Sequence, residues 1–293
     1  MNKNIVRARC SQSCWMILIY YFLMSSLVFL FRYIVPENGS YNGVAYLLAI
    51  IVAFVVLMHW PQSKIPFEQY WGQNRQMKPY NGFLILCSVA VCQVFFQLLC
   101  FLWNNEFVTQ ANENMVDIDI FHQNSAMLVY IGIAAPVFEE ILFRCFVLRV
   151  LRPYGKCFAI VSSSFLFGIF HGNILQSPFA FAIGLVLGYT AVEFSLKWAV
   201  LVHIFNNLVL SIGFAYLSDI IGLDIANWIY TILIYGGALV AVTVLLCKCS
   251  ALLKYWKESD RQQTSVYCFL TSPGIMLFTA LMVLIIVLSA IKA

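Results

Sequence analysis

The amino-acid sequence predicts an all-α protein, a polytopic transmembrane helical bundle of about eight to nine spans. Apolar residues make up 62% of its 293 residues and charged residues only 10%, and the mean hydropathy is +0.86. A soluble domain of ordinary composition carries about 25% charged residues. The surplus apolar surface must therefore face lipid. This makes the lipid bilayer the first predicted partner and the cell membrane the predicted location.

Apolar runs recur along the whole chain, and each is a predicted transmembrane helix. About 20 consecutive apolar residues are needed to cross the roughly 30 Å of hydrocarbon in a bilayer. The fifth and sixth runs are shorter than this. In chain order the runs are 14–35, 43–59, 83–103, 126–149, 157–171, 178–194, 198–217, 227–247 and 274–291.

Basic residues cluster in the amino-terminal tail and in every second loop after it, whereas the loops between them are acidic. This alternation predicts a cytoplasmic amino terminus and a multi-pass protein. The net charge of +4 comes from these inner loops. It indicates anionic lipid headgroups as neighbours and no nucleic acid. None of the ten cysteines falls in a predicted outer loop, so the sequence indicates no disulfide framework.

No repeat, low-complexity tract or soluble domain interrupts the sequence, so residues 1–293 are predicted to form a single membrane domain. The three polar patterns that lie inside apolar runs fall within 126–217, which covers spans four to seven. We expect this region to be the working, catalytic core. Residues 1–125 and 218–293 are expected to supply peripheral spans and loops.

The first polar pattern is Glu139-Glu140-x-x-x-Arg144, inside the fourth run. Adjacent residues of a helix point about 100° apart, while residues four apart share a face. Arg144 is therefore expected to pair with Glu140 and hold it ionised, so that Glu140 points away from the site. Glu139 would remain free to face a cavity and exchange protons. The alternative is a charge-neutral cluster that only pins helices, but an unpaired second carboxylate at membrane depth argues against it.

Two further patterns supply His171, His203 and Asn207. Phe167 lies one turn before His171 and is interpreted as core packing. Asn207 lies one turn after His203, so both can donate toward one developing oxyanion. The neighbouring Asn206 lies on another face and is given no role.

A free glutamate, two histidines and an asparagine together fit the hydrolysis of an amide by an activated water. Whether a divalent metal such as zinc takes part is left open by the sequence. Its ligands would be Glu139, His171 and His203. The predicted partner is a peptide or protein substrate.

These patterns carry a resemblance. Glu139-Glu140-Ile-Leu-Phe-Arg144, Phe167-Gly-Ile-Phe-His171 and His203-Ile-Phe-Asn-Asn207 resemble the three signature motifs of the CPBP intramembrane protease family. That family includes the CAAX prenyl endopeptidases and the bacterial Abi, or bacteriocin self-immunity, proteins.

The resemblance implies a role for each residue. Glu139 is similar to the water-activating carboxylate and His171 to its partner. His203 and Asn207 are similar to the oxyanion-hole pair, while Glu140 and Arg144 are similar to the supporting ion pair. The implied site opens to the cytoplasm. With that orientation His171 lies too far outward, unless the fifth helix is short, tilted or begins deeper than Cys157, and of these three we expect a deeper start.

The resemblance implies an endopeptidase that cuts near the cytoplasmic face, with peptide processing or self-immunity as its role. Two alternatives remain. A proton- or ion-coupled transporter also places glutamate, histidine and arginine inside spans, but it favours broken helices in two related halves. A catalytically silent immunity or scaffold protein would keep the motifs without turnover.

Overall fold

The computed structural model describes residues 3–34, 43–59, 75–102, 124–258 and 262–292. Within these residues the chain forms eleven helices and no strand, which confirms the all-α prediction. The helices are α1 Lys3–Ile34, α2 Gly43–His59, α3 Pro79–Leu102, α4 Ser125–Tyr154, α5 Lys156–Phe170, α6 Gln176–Glu193, α7 Leu196–Ile221, α8 Leu223–Cys247, α9 Cys249–Glu258, α10 Gln262–Leu270 and α11 Pro273–Lys292.

A helix covers each of the nine apolar runs, and α9 and α10 lie in the basic segment before the last run. Six helices among the described residues are long and apolar enough to cross a membrane: α1, α3, α4, α7, α8 and α11. The helices α2 and α5 are apolar but shorter, and α6 carries polar residues at both ends. The polytopic bundle is thus confirmed, while a full crossing by the other three helices stays a prediction.

The helix α5 begins at Lys156 and ends at Phe170, a length of 15 residues. The expectation that it begins deeper than Cys157 is therefore wrong. At 1.5 Å per residue it is about 22 Å long, shorter than the hydrocarbon layer. His171 follows its last turn directly. Of the three conditions that would bring His171 closer to the other motifs, the structure shows a short helix and not a later start.

The helices α4 to α7 form the centre of the described bundle. The α5–α6 pair packs closely, because small residues of α6 meet α5 with no side chain between them. A Cβ added at Gly184 would lie 3.0 Å from Ser164 Cβ, and one added at Gly188 would lie 3.2 Å from Ile160 Cγ2. This is the small-residue packing typical of membrane helices.

Two groups of helices flank this centre. On one side α1, α2 and α11 extend its apolar core; on the other α3 packs on α6, and α8 packs on α3. The outer face of α8 carries large exposed apolar side chains, including Trp228, Ile232, Leu239 and Leu246. A continuous apolar surface of this kind is typical of lipid-facing helices.

Candidate active site

The glutamate and His203 motifs lie beside π-helical turns. In α4 the Glu139–Glu140 pair stands between the π-helical segments Tyr130–Ala134 and Ile141–Leu148. In α7 the π-helical segment Phe205–Gly213 begins two residues after His203. Such widened turns are frequent at functional sites, because they change the direction of side chains and leave carbonyl groups for other partners.

The predicted ion pair is present and buried. Arg144 Nε donates to Glu140 Oε2 at 3.0 Å, and the two side chains are 1% and 0% exposed. Arg144 Nη1 donates to Ser163 Oγ of α5 at 3.4 Å, and the guanidinium lies over the Phe167 ring at 5.3 Å. A buried charge requires such partners. Arg144 thereby connects the glutamate motif of α4 to α5.

His203 stands between the two carboxylates. Its Nδ1 lies 3.2 Å from Glu140 Oε1, and its Nε2 lies 3.8 Å from Glu139 Oε2. We expected Glu140 to point away from the site, and this was wrong. One oxygen of Glu140 does meet Arg144, but the other is free to meet His203. Glu140 therefore belongs to the cluster and does not only neutralise Arg144.

These contacts define how the His203 ring carries its protons. An ionised Glu140 can only accept, so His203 Nδ1 donates to it. In the neutral ring Nε2 is then a lone-pair acceptor directed toward Glu139. A hydrogen bond that fixes one ring nitrogen in this way determines which chemistry the other performs.

His171 joins the same cluster through Phe167. His171 Nδ1 donates to the Phe167 carbonyl at 2.8 Å. This bond uses only Nδ1, so the other ring nitrogen, Nε2, is available to a different partner. The buried Phe167 ring packs edge-to-face on both imidazoles, at 4.8 Å from His171 and 5.8 Å from His203. The histidines thus lie on one side of the bundle. Phe167 is core packing, as interpreted, but it also contacts three site residues.

Asn207 meets α4 at its first π-helical segment. Asn207 Nδ2 donates to the Ile131 carbonyl at 3.1 Å. The neighbouring Asn206, to which the sequence gave no role, donates from Nδ2 to Asn207 Oδ1 at 3.0 Å. Although the two residues point in different directions, their side chains are long enough for the two amide groups to form a hydrogen bond.

Two tyrosines near Glu139 were also missed. Tyr20 of α1 and Tyr130 of α4 lie close enough for their hydroxyls to interact electrostatically with the Glu139 carboxylate. Tyr20 is buried. No spacing in the sequence relates a residue of the first helix to this site, because the contact arises only from packing.

A bound metal ion would need several ligand side chains that lie close together. Glu139 and His203 approach each other, but no group of three or more His, Cys, Asp or Glu side chains suited to a metal occurs in the part of the chain that the structure describes. A zinc site needs at least three protein ligands. The described side chains, as the structure places them, do not form such a group, and the participation of a metal stays a prediction.

The fold and the site define a helical membrane protein with a buried cluster of carboxylates and histidines. Residues 121–209 match the family model described as Rce1-like, a Type II CAAX prenyl endopeptidase. This segment contains all three motifs, so the resemblance to the CAAX protease family is confirmed there. No curated protein and no solved structure matches the chain.

Proposed function

We propose that the protein is a CAAX-type intramembrane endopeptidase whose Glu139 activates the attacking water. The observation that carries this proposal is the division of the two carboxylates. Glu140 is fully buried and held by Arg144 and His203, whereas the Glu139 side chain is 16% exposed. Of the two, only Glu139 has room to meet a water and a substrate.

The proposed reaction moves one proton from water to the leaving amine. Glu139 takes a proton from water as the water oxygen attacks the carbonyl carbon. His171 Nδ1 is engaged with the Phe167 carbonyl, so Nε2 is available to accept a hydrogen bond from the other hydrogen of this water and orient it. Glu139 then gives its proton to the amide nitrogen as the C–N bond breaks.

Charge balance supports a proton shared between Glu139 and His203. Glu139 and Glu140 supply two negative charges and Arg144 one positive charge. One additional proton on the Glu139–His203 pair makes the cluster neutral, which a low-dielectric interior favours. A proton on Nε2 also turns His203 into a donor toward the oxyanion.

Asn207 supplies the second donor to the oxyanion. One hydrogen of Nδ2 is directed at the Ile131 carbonyl, and the other remains for the substrate. Removing one such donor typically lowers the rate by about 10²–10³-fold.

The substrate we favour is a leader peptide, a secreted signalling peptide or a bacteriocin-related peptide, and the biological role we propose is peptide processing or self-immunity. The test uses protein reconstituted in liposomes and two fluorogenic peptides of one sequence, one farnesylated at a CAAX cysteine and one not. We expect cleavage of at least one peptide.

A chelator arm separates metal-assisted from metal-free hydrolysis. No cleavage of either peptide by well-folded protein, together with identical secreted peptides from strains with and without it, would leave a silent scaffold as the better reading.

We also propose that the amino terminus is cytoplasmic, from the charge bias of the loops. The ends of α8 offer a test, because Cys247 and its neighbour Cys249 are exposed, whereas seven of the other cysteines are buried. In intact cells a membrane-impermeant maleimide should leave both thiols unlabelled, and permeabilisation should make them reactive.

The matched control uses the opposite end of the same helix. Leu223 is 61% exposed, so Leu223→Cys in a Cys247→Ser, Cys249→Ser background should label in intact cells. The reverse pattern of labelling would show that the orientation is inverted.

A further inference from the structure

A chain of three side-chain amides leads from α3 to Asn207. Gln93 Nε2 donates to Asn206 Oδ1 at 2.9 Å, and Asn206 Nδ2 donates to Asn207 Oδ1 at 3.0 Å. Asn207 Nδ2 then donates to the Ile131 carbonyl at 3.1 Å. The three bonds cross from α3 through α7 to α4.

The chain has a direction, and each bond depends on the one before it. An amide group accepts at oxygen and donates at nitrogen, so a flip of any member sets oxygen against oxygen or nitrogen against nitrogen. Gln93 and Asn206 are only 6% and 4% exposed. Water therefore cannot replace a lost partner at either residue, and the direction at Asn207 is set jointly by Gln93 and the Ile131 carbonyl.

Gln93 lies outside the matched segment 121–209 and outside every motif. It sits in the middle of α3, next to Cys92 and one turn from Val89, which belong to the apolar core of α3, α6 and α7. A buried amide at membrane depth is costly unless it is hydrogen-bonded. Among the described residues its hydrogen-bond partner is Asn206, which contacts the proposed oxyanion donor.

We propose that Gln93 is a positioning residue that, through Asn206, holds the Asn207 amide with its nitrogen toward the reacting carbonyl. This inference rests on the proposed function. Without Gln93, Asn206 Oδ1 is buried without a partner, and Asn206 gains by rotating away from Asn207. The Asn207 amide is then held at one end only, so its average geometry toward the oxyanion is poorer.

The test replaces Gln93 with methionine, which has a similar length and no amide. Gln97→Met is the matched control, because Gln97 lies one turn further along α3 and accepts a hydrogen bond from Tyr235 of α8 at 2.7 Å, away from the site. Gln93→Met should lower kcat roughly fivefold and leave KM unchanged, since loss of one hydrogen bond costs about 1 kcal/mol. Gln97→Met should change neither constant.

Positioning is separated from simple stabilisation by a double-mutant cycle. In an Asn207→Ala background Gln93→Met should cause no further loss of kcat, because the amide to be positioned is absent. An additive loss, or an unchanged kcat in Gln93→Met alone, would overturn the inference.

The cycle is also measured by thermal unfolding, which needs no substrate. Coupling through the chain predicts that the double variant loses less thermal stability than the sum of the two single variants. If the protein cleaves no peptide, the proposed function fails. The thermal unfolding measurement then tests by itself whether Gln93, Asn206 and Asn207 are coupled through their hydrogen bonds. Additive shifts in Tm would then overturn it.

Discussion

Glu139→Gln should abolish cleavage while the protein still accumulates in the membrane. Glutamine keeps the shape of the side chain, but its amide cannot take a proton from water. General-base catalysis contributes about 10²–10⁴-fold to a rate, and the variant should lose at least that factor in kcat. The measurement is turnover of the fluorogenic peptide by purified protein in liposomes.

Stability should respond differently from activity. Glu139 lies 3.8 Å from His203 and has no closer ion pair among the described residues. Loss of its charge therefore leaves no partner stranded, and Tm should stay close to that of the original protein.

Glu193→Gln is the matched carboxylate control. Glu193 is the last residue of α6, where it pairs with Lys156 and accepts a hydrogen bond from Tyr255. Its replacement should leave kcat intact. Full activity of Glu139→Gln would remove Glu139 from the mechanism, whatever the control shows.

Arg144→Ala should have the largest effect on stability. The change leaves the Glu140 carboxylate fully buried without its cation, and breaking a buried ion pair in this way typically costs about 3–5 kcal/mol. It also removes the contacts of the guanidinium with Ser163 and Phe167 that connect α4 to α5. We expect less protein in the membrane and a lower Tm in detergent.

Lys156→Ala is the control for loss of a cation. Its pair with Glu193 has the same chemistry, with Nζ 3.2 Å from Oε1, but the lysine side chain is 47% exposed. Exposed pairs contribute at most about 1 kcal/mol, so the effect on Tm should be small. The double variant Glu140→Gln, Arg144→Leu should be more stable than Arg144→Ala, because no charge is stranded. Equal stability of Arg144→Ala and the original protein would contradict the assigned role of the pair.

The sequence was sufficient for the fold class and for part of the site. Long apolar runs have few alternatives to helices in a bilayer, and each run proved helical. The Glu140–Arg144 pair followed from helical spacing alone, since both residues lie on one face of α4. Local geometry can be derived wherever the contact lies within one or two turns.

Contacts between helices could not be derived in this way. The bond between His203 and Glu140 joins residues 63 positions apart. Its geometry depends on how α4 and α7 cross and on the π-helical turns, which no periodicity in the sequence announces. The predicted direction of the Glu140 side chain was wrong for this reason. Gln93 could have been found by the rule applied to the motifs, because it is an amide inside an apolar run.

The short helix α5 has a consequence for how deep the site lies. Both ends of the α5–α6 hairpin lie beside basic residues, Lys156 and Lys197, so the charge bias places them on the same side of the bilayer. Such a hairpin satisfies that bias at any insertion depth, and it need not emerge on the far side.

Polar backbone groups of the turn between the two helices have hydrogen-bond partners within the protein. Asn173 Oδ1 accepts from the backbone N–H groups of Leu175 and Gln176, and the Ser289 hydroxyl of α11, which lies 2.8 Å from the Ile286 carbonyl, is also within 3.3 Å of the Gly172 carbonyl. Irregular backbone is tolerated at membrane depth when its polar groups are satisfied inside the protein. The turn of the α5–α6 pair, next to His171, therefore meets the hydrogen-bonding requirement of a re-entrant hairpin.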